Sequence, residues 1–112
     1  MHLAARLSAH ALVAALLWVA STPAALAQRG DPQAGLAYSR QHCGGCHSVE
    51  QGRSSPVAAA PTFEKIANMP GMNLMAFDVW MRTGHPTMPM LKLDASQTED
   101  VSAWLQVLKR KD

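Results

Sequence analysis

Apolar residues recur at the helical interval most clearly near the end of the chain. Val101, Trp104, Leu105 and Leu108 follow the i, i+3, i+4, i+7 spacing of a helix buried along one face. Asp94 or Ser96 begins it, each with a Gln or Glu three residues on (Gln97, Glu99), the pattern of a capping box. Lys109, Arg110 and Lys111 fall at its far end, where positive charge suits the helix dipole.

Three weaker segments precede it. From Asp31 to Cys43 the chain reads as a short helix, with Asp31 as N-cap, Pro32 at the tolerated first position and Leu36, Tyr38 and Ser39 in its body. Residues 44–61 are rich in Gly, Ser, Pro and Ala without a usable period, which predicts a loop. Pro61 and Thr62 open a second short helix carrying Phe63, Ile66 and Ala67 and ending near Asn68, ahead of Pro70. A third runs from Asn73 to Arg82, with Asn73 as cap, Leu74, Phe77, Val79, Trp80 and Met81 inside, and Gly84 as its stop. Nothing alternates as a strand does, so the expectation is an all-α domain of about four short helices joined by irregular loops.

The first residues belong to a different class. Arg6 precedes an apolar stretch from Ala9 to Ala20, followed by Ser21, Thr22, Pro23 and the small-residue run Ala25-Leu26-Ala27. That order matches a cleavable signal peptide, residues 1–27. A retained membrane anchor is the competing reading, but the stretch falls well short of the ~20 apolar residues a span needs. Gln28, and not a cysteine, follows the expected cleavage point, which disfavours a lipid anchor. The mature domain, residues 28–112, is therefore expected to be periplasmic and to carry no membrane span. Near 85 residues, an apolar core alone gives marginal stability, and a cross-link or cofactor is usual. Nine Lys and Arg remain against eight Asp and Glu once Arg6 is removed, which gives nucleic-acid binding no support.

The two cysteines of the chain stand three residues apart with a histidine immediately after: Cys43-Gly44-Gly45-Cys46-His47. This is a C-x-x-C-H haem attachment sequence. Two thiols about one turn apart can bond the two vinyl groups on one porphyrin edge, and the next histidine then lies near the iron. His47 is the candidate proximal ligand. Three other readings compete: a thioredoxin-like dithiol, which normally opens a helix in a βα framework; a zinc site, for which only His42 or His85 could add ligands; and a structural disulfide. The second axial ligand of a haem iron has candidates in His85-Pro86-Thr87-Met88-Pro89-Met90.

With these parts in this order, residues 30–110 resemble the class I c-type cytochromes: a helix ending in C-x-x-C-H, short middle helices, a Met-Pro pair and an amphipathic C-terminal helix. The resemblance implies a small cytochrome c fold wrapped around one covalently bound haem c, held by thioethers to Cys43 and Cys46. It also implies His47 as proximal ligand and Met88 as distal ligand, with Met90 the second choice and His85 the third. It places the Pro61 carbonyl as acceptor for the free ring N–H of the proximal histidine. It sets Gly35 and Tyr38 at a crossing of the first and last helices, opposite Trp104 or Leu105. Met69, Met72, Met75 and Met81 read as packing residues. Trp80 and Trp104 read as core residues whose N–H groups each seek a partner, a haem propionate being suitable for Trp80.

A six-coordinate iron has no vacant position for substrate, so the implied function is single-electron transfer without catalysis. Partners would be redox proteins, a donor dehydrogenase and an acceptor oxidase or cytochrome. Two alternatives keep the haem and change the role: a dedicated electron-transfer subunit of one periplasmic dehydrogenase, or a gas- or peroxide-binding protein with an open sixth position.

Overall fold

A computed structural model describes residues 29–111. The signal peptide expected over residues 1–27 lies outside the described residues. Those described form four helices and no strand: α1 (Pro32–His42), α2 (Phe63–Ala67), α3 (Leu74–Arg82) and α4 (Ala95–Val107). None is long and apolar enough to cross a membrane.

Local chemistry starts each helix. Side-chain oxygens of Asp31, Thr62, Asn73 and Asp94 accept from backbone N–H groups that the first turns of α1, α2, α3 and α4 leave free. Asp94, and not Ser96, caps α4: its carboxylate accepts from Gln97 N at 2.8 Å while the Gln97 amide oxygen accepts from Asp94 N at 3.0 Å. This reciprocal pair satisfies two donors at once.

The main packing is α1 against α4, with α2 and α3 also resting on α4. Leu36, Val101, Leu105 and Leu108 are buried in one core with Val49, Phe63, Ala67, Met72 and Phe77. Burial of a side chain such as Leu105, 1% exposed, favours folding by on the order of 2 kcal/mol. The two long helices touch through backbone. A Cβ on Gly35 would overlap the Asp100 carbonyl, and Asp31 N donates to the Asp100 carboxylate at 2.7 Å. The glycine contact expected for this crossing is thus present, but its partner is the Asp100–Val101 backbone, one turn before Trp104 and Leu105. Trp104 lies further along and donates its Nε1–H to the Val49 carbonyl at 2.8 Å, fastening α4 to the loop after α1.

The C-terminal segment is tied by side chains from elsewhere. Asn68 donates to Leu108 O at 3.1 Å and accepts from Arg110 N at 2.9 Å, and the Lys109 ammonium donates to Met72 O at 2.7 Å. Lys109 therefore satisfies a loop carbonyl, where the sequence suggests an interaction with the dipole of its own helix.

Candidate functional site

The C-x-x-C-H segment continues α1 as a tight turn. Cys43 caps the helix and donates its N–H to Ser39 O at 2.8 Å, and Gly44 N shares that acceptor at 2.9 Å. His47 N then donates to Cys43 O at 2.9 Å, and Cys46 N to the same oxygen at 3.1 Å. The five residues thus curl into one further turn, which keeps the two thiols and the imidazole on a short stretch of constrained backbone. Gly44 is required by that geometry, because a Cβ there would lie 2.7 Å from Arg40 O. Gly45 faces open space.

The imidazole of His47 is held by the loop that follows. Its Nδ1 lies 2.6 Å from the carbonyl oxygen of Pro61. A carbonyl carries no proton, so Nδ1 must donate, and the neutral ring then keeps its lone pair on Nε2. Among the described residues no hydrogen-bond partner engages Nε2. Phe63 packs edge-on against the ring, with centroids 5.9 Å apart. The loop reaches this position through Phe63 N to Ser48 O at 2.8 Å, Val57 N to Cys46 O at 3.2 Å and Ser48 N to Ser55 Oγ at 3.0 Å. The Pro61 acceptor expected from resemblance is in place.

Cys43 and Cys46 are free thiols in unlike surroundings. Cys43 is half-buried and Cys46 exposed. Burial pushes the Cys43 thiol up to about 11. A redox dithiol needs the opposite, a thiolate stabilised at a helix N-terminus or by nearby positive charge. Here the first cysteine sits at the C-terminal, electronegative end of α1, which argues against the thioredoxin-like reading. Among the described residues no three His, Cys, Asp or Glu side chains gather where they could hold a metal ion.

The segment carrying Met88 is a turn after α3. Met88 N donates to His85 O at 3.3 Å, and Met88 is half-buried between two exposed prolines, Pro86 and Pro89. His85 stacks on Trp80 with centroids 4.6 Å apart and planes within 13°. Trp80 is therefore not a core residue as its apolar surroundings in sequence suggest; it is 47% exposed and partners a histidine. Met90 is exposed, its Sδ near Gly84. Of the methionines expected to fill space, Met72 is buried and Met81 packs against the core, whereas Met69 and Met75 are exposed.

Sequence reasoning passed over one feature beside the turn. Glu50 accepts from Arg40 Nε at 2.9 Å and from its terminal nitrogen at 2.6 Å, with Arg53 3.6 Å from the other carboxylate oxygen. The Arg40 hydrogen bond and charge hold the Glu50 carboxyl below the ordinary range. Arg40, Glu50 and Arg53 line a shallow depression of about 290 Å³ with Gly44, His47 and Ser48. No spacing rule predicts such a pairing, because Arg40 is on α1 and Glu50 in the loop.

The donor set suits a haem. Two unpaired thiols one turn apart, an imidazole with Nδ1 engaged and Nε2 free, and a half-buried thioether are the groups that covalent attachment and His/Met ligation use. Comparison with family models, with curated proteins and with solved structures gives no match.

Proposed function

We propose that this chain is an exported c-type cytochrome, a periplasmic electron carrier with one haem c. The observation that carries the reading is the turn from Cys43 to His47, in which a C-x-x-C-H sequence is followed by a ring held at Nδ1 by the Pro61 carbonyl. Cys43 and Cys46 would form the thioethers, His47 would ligate through Nε2, and Met88 would be the distal ligand, with Met90 the second choice. When bound, the haem supplies reversible one-electron chemistry at its iron, at a potential that a thioether ligand raises.

The chain's own residues set the conditions. The Pro61 carbonyl keeps the proton on Nδ1, orients the ring and makes Nε2 a better donor. Phe63 limits rotation of that ring. Pro86 and Pro89 restrict the backbone on either side of Met88, so the thioether is presented at low entropic cost. Held by both His47 and Met88, the haem would serve transfer of electrons between redox proteins, such as a donor dehydrogenase and an acceptor oxidase or cytochrome. Such partners meet at small, transient interfaces.

The test is an absorption spectrum of the protein produced with its own N-terminal segment in a host that attaches haem to exported chains. The expected result is haem that resists acid–organic extraction, with a methionine–iron charge-transfer band in the oxidised protein that disappears in Met88→Ala. A chain that acquires no haem, or releases it on extraction, defeats the proposal. A band that persists in Met88→Ala transfers the ligand to Met90. Ready binding of carbon monoxide by the native protein would show an open iron position.

A further inference from the structure

All the methionines after Met1 lie between residues 69 and 90, and their environments divide them. Met72 is 7% exposed, Met69 38%, Met90 62% and Met75 77%, while Met81 and Met88 are intermediate. Thioether oxidation by two-electron oxidants needs access to the sulfur lone pair, so exposure sets its order. An exported protein meets such oxidants directly. Met75 stands in the first turn of α3 on its solvent side, and Met90 lies two residues beyond Met88.

We infer that Met75 and Met90 form an oxidant sink: they are oxidised by hypohalous acids or hydroperoxides ahead of Met88 and so delay damage to it. With a hydroperoxide the sulfur lone pair attacks the distal oxygen, the O–O bond breaks and an alcohol or water leaves. With hypochlorous acid the lone pair attacks chlorine, the O–Cl bond breaks and hydroxide leaves. Water then displaces chloride from the chlorosulfonium with loss of two protons, one of which neutralises the hydroxide, so the thioether becomes a sulfoxide and chlorine gains the two electrons sulfur loses. The sulfoxide is the reversible rung of the methionine ladder, returned to the thioether by methionine sulfoxide reductases. The protective value rests on Met88 being the iron ligand. The order of oxidation rests on exposure and requires only that Met90 is not itself the ligand.

The two can be tested separately. Any cysteines not bonded to haem are first capped with iodoacetamide, and the purified full-length secreted protein is then titrated with hypochlorous acid. Trypsin places Met69, Met72, Met75 and Met81 in the peptide 66–82 and Met88 and Met90 in the peptide 83–92, and fragment masses locate each added oxygen. Met75 and Met90 are expected to reach half-oxidation before the other four. Any other methionine reaching it ahead of either one overturns the inference. In Met75→Leu/Met90→Leu, Met88 sulfoxide is expected at about two equivalents less oxidant, one for each sink removed. An unchanged dose for Met88 overturns the shielding. Both readouts are masses; late oxidation of Met90 because it ligates the iron would itself overturn the inference, and loss of the Met88-dependent absorption band reports separately on the haem assignment.

Discussion

A carbonyl oxygen 2.6 Å from an imidazole nitrogen decides which ring nitrogen is free, and at His47 it leaves Nε2. The cysteines beside it are as unequal as the two nitrogens. Cys46 is exposed, whereas burial pushes the Cys43 thiol up to about 11. In the chain made without haem, iodoacetamide at pH 8 is expected to alkylate Cys46 well ahead of Cys43, as peptide masses would show; equal rates would refute the burial argument. The same burial has a thermodynamic consequence. The folded chain keeps Cys43 protonated above the ordinary thiol range, whereas the unfolded chain ionises it there. Stability of the haem-free chain is therefore full below that range and declines as pH rises toward about 11. Urea midpoints across that window would show the decline, and Cys43→Ser should remove it. The haem-bearing protein should also lack it, because a thioether has no proton to lose. Glu50 acts in the other direction. Arg40 holds its carboxyl low, so its contribution is present above the ordinary carboxylate range and fades in acid as Glu50 protonates. Cysteine spacing is read directly from sequence, but these environments are not, because each depends on which distant segment covers the side chain.

At the scale of the element, helix starts were legible because a cap is a local contract between one side chain and a backbone N–H two or three residues away. Asp31, Thr62, Asn73 and Asp94 each meet it. Which way a helix faces was less legible. In α3 apolar residues occur on every side, so periodicity could not tell Phe77, which is buried, from Trp80 and Met75, which are exposed. The helix crossing was legible in kind and not in register: Gly35 marks close approach, but only packing shows that the facing backbone is Asp100–Val101. Gly35→Leu is expected to destabilise the fold by roughly 1–3 kcal/mol, since any side chain there must drive α1 away from α4 and disturb Leu36, Val101 and Leu105 together. The check is the midpoint of urea unfolding followed by helical circular dichroism, with Gln33→Leu, exposed on the same helix, as the control. An unchanged midpoint for Gly35→Leu would mean that the crossing is not close.

The whole molecule draws its coherence from few groups. Its core joins Leu36, Val49, Phe63, Ala67, Met72, Phe77, Val101, Leu105 and Leu108 across the four helices, the long loop after α1 and the short α2–α3 connection, while Met75, Val79 and Trp80 stay at the surface. The loop from Gly44 to Thr62 has no helix of its own and is held by isolated hydrogen bonds, among them Trp104 to Val49 and His47 to Pro61. A chain of this size folds near the margin, where the loss of one cross-link or cofactor shifts the balance. Covalent attachment at Cys43 and Cys46 with ligation from Met88 would join the end of α1 to the turn after α3, two segments far apart in sequence, and would restrict the unfolded chain as any cross-link does. The haem-bearing protein is therefore expected to unfold in one sharp thermal transition. The same chain with Cys43→Ser and Cys46→Ser, produced without haem, should unfold at lower temperature over a broader range. Fluorescence of the two tryptophans after the predicted cleavage site gives a second probe: Trp104 reports on the α4–loop contact, and Trp80 on the turn carrying Met88. In the haem-bearing protein both should change together. In the haem-free chain Trp80 should change first, because the core holds α4 whereas two prolines and a stacked histidine hold the turn. Coincident, equally sharp transitions in the two forms would show that the four helices are stable by themselves and that a bound haem does not support the fold.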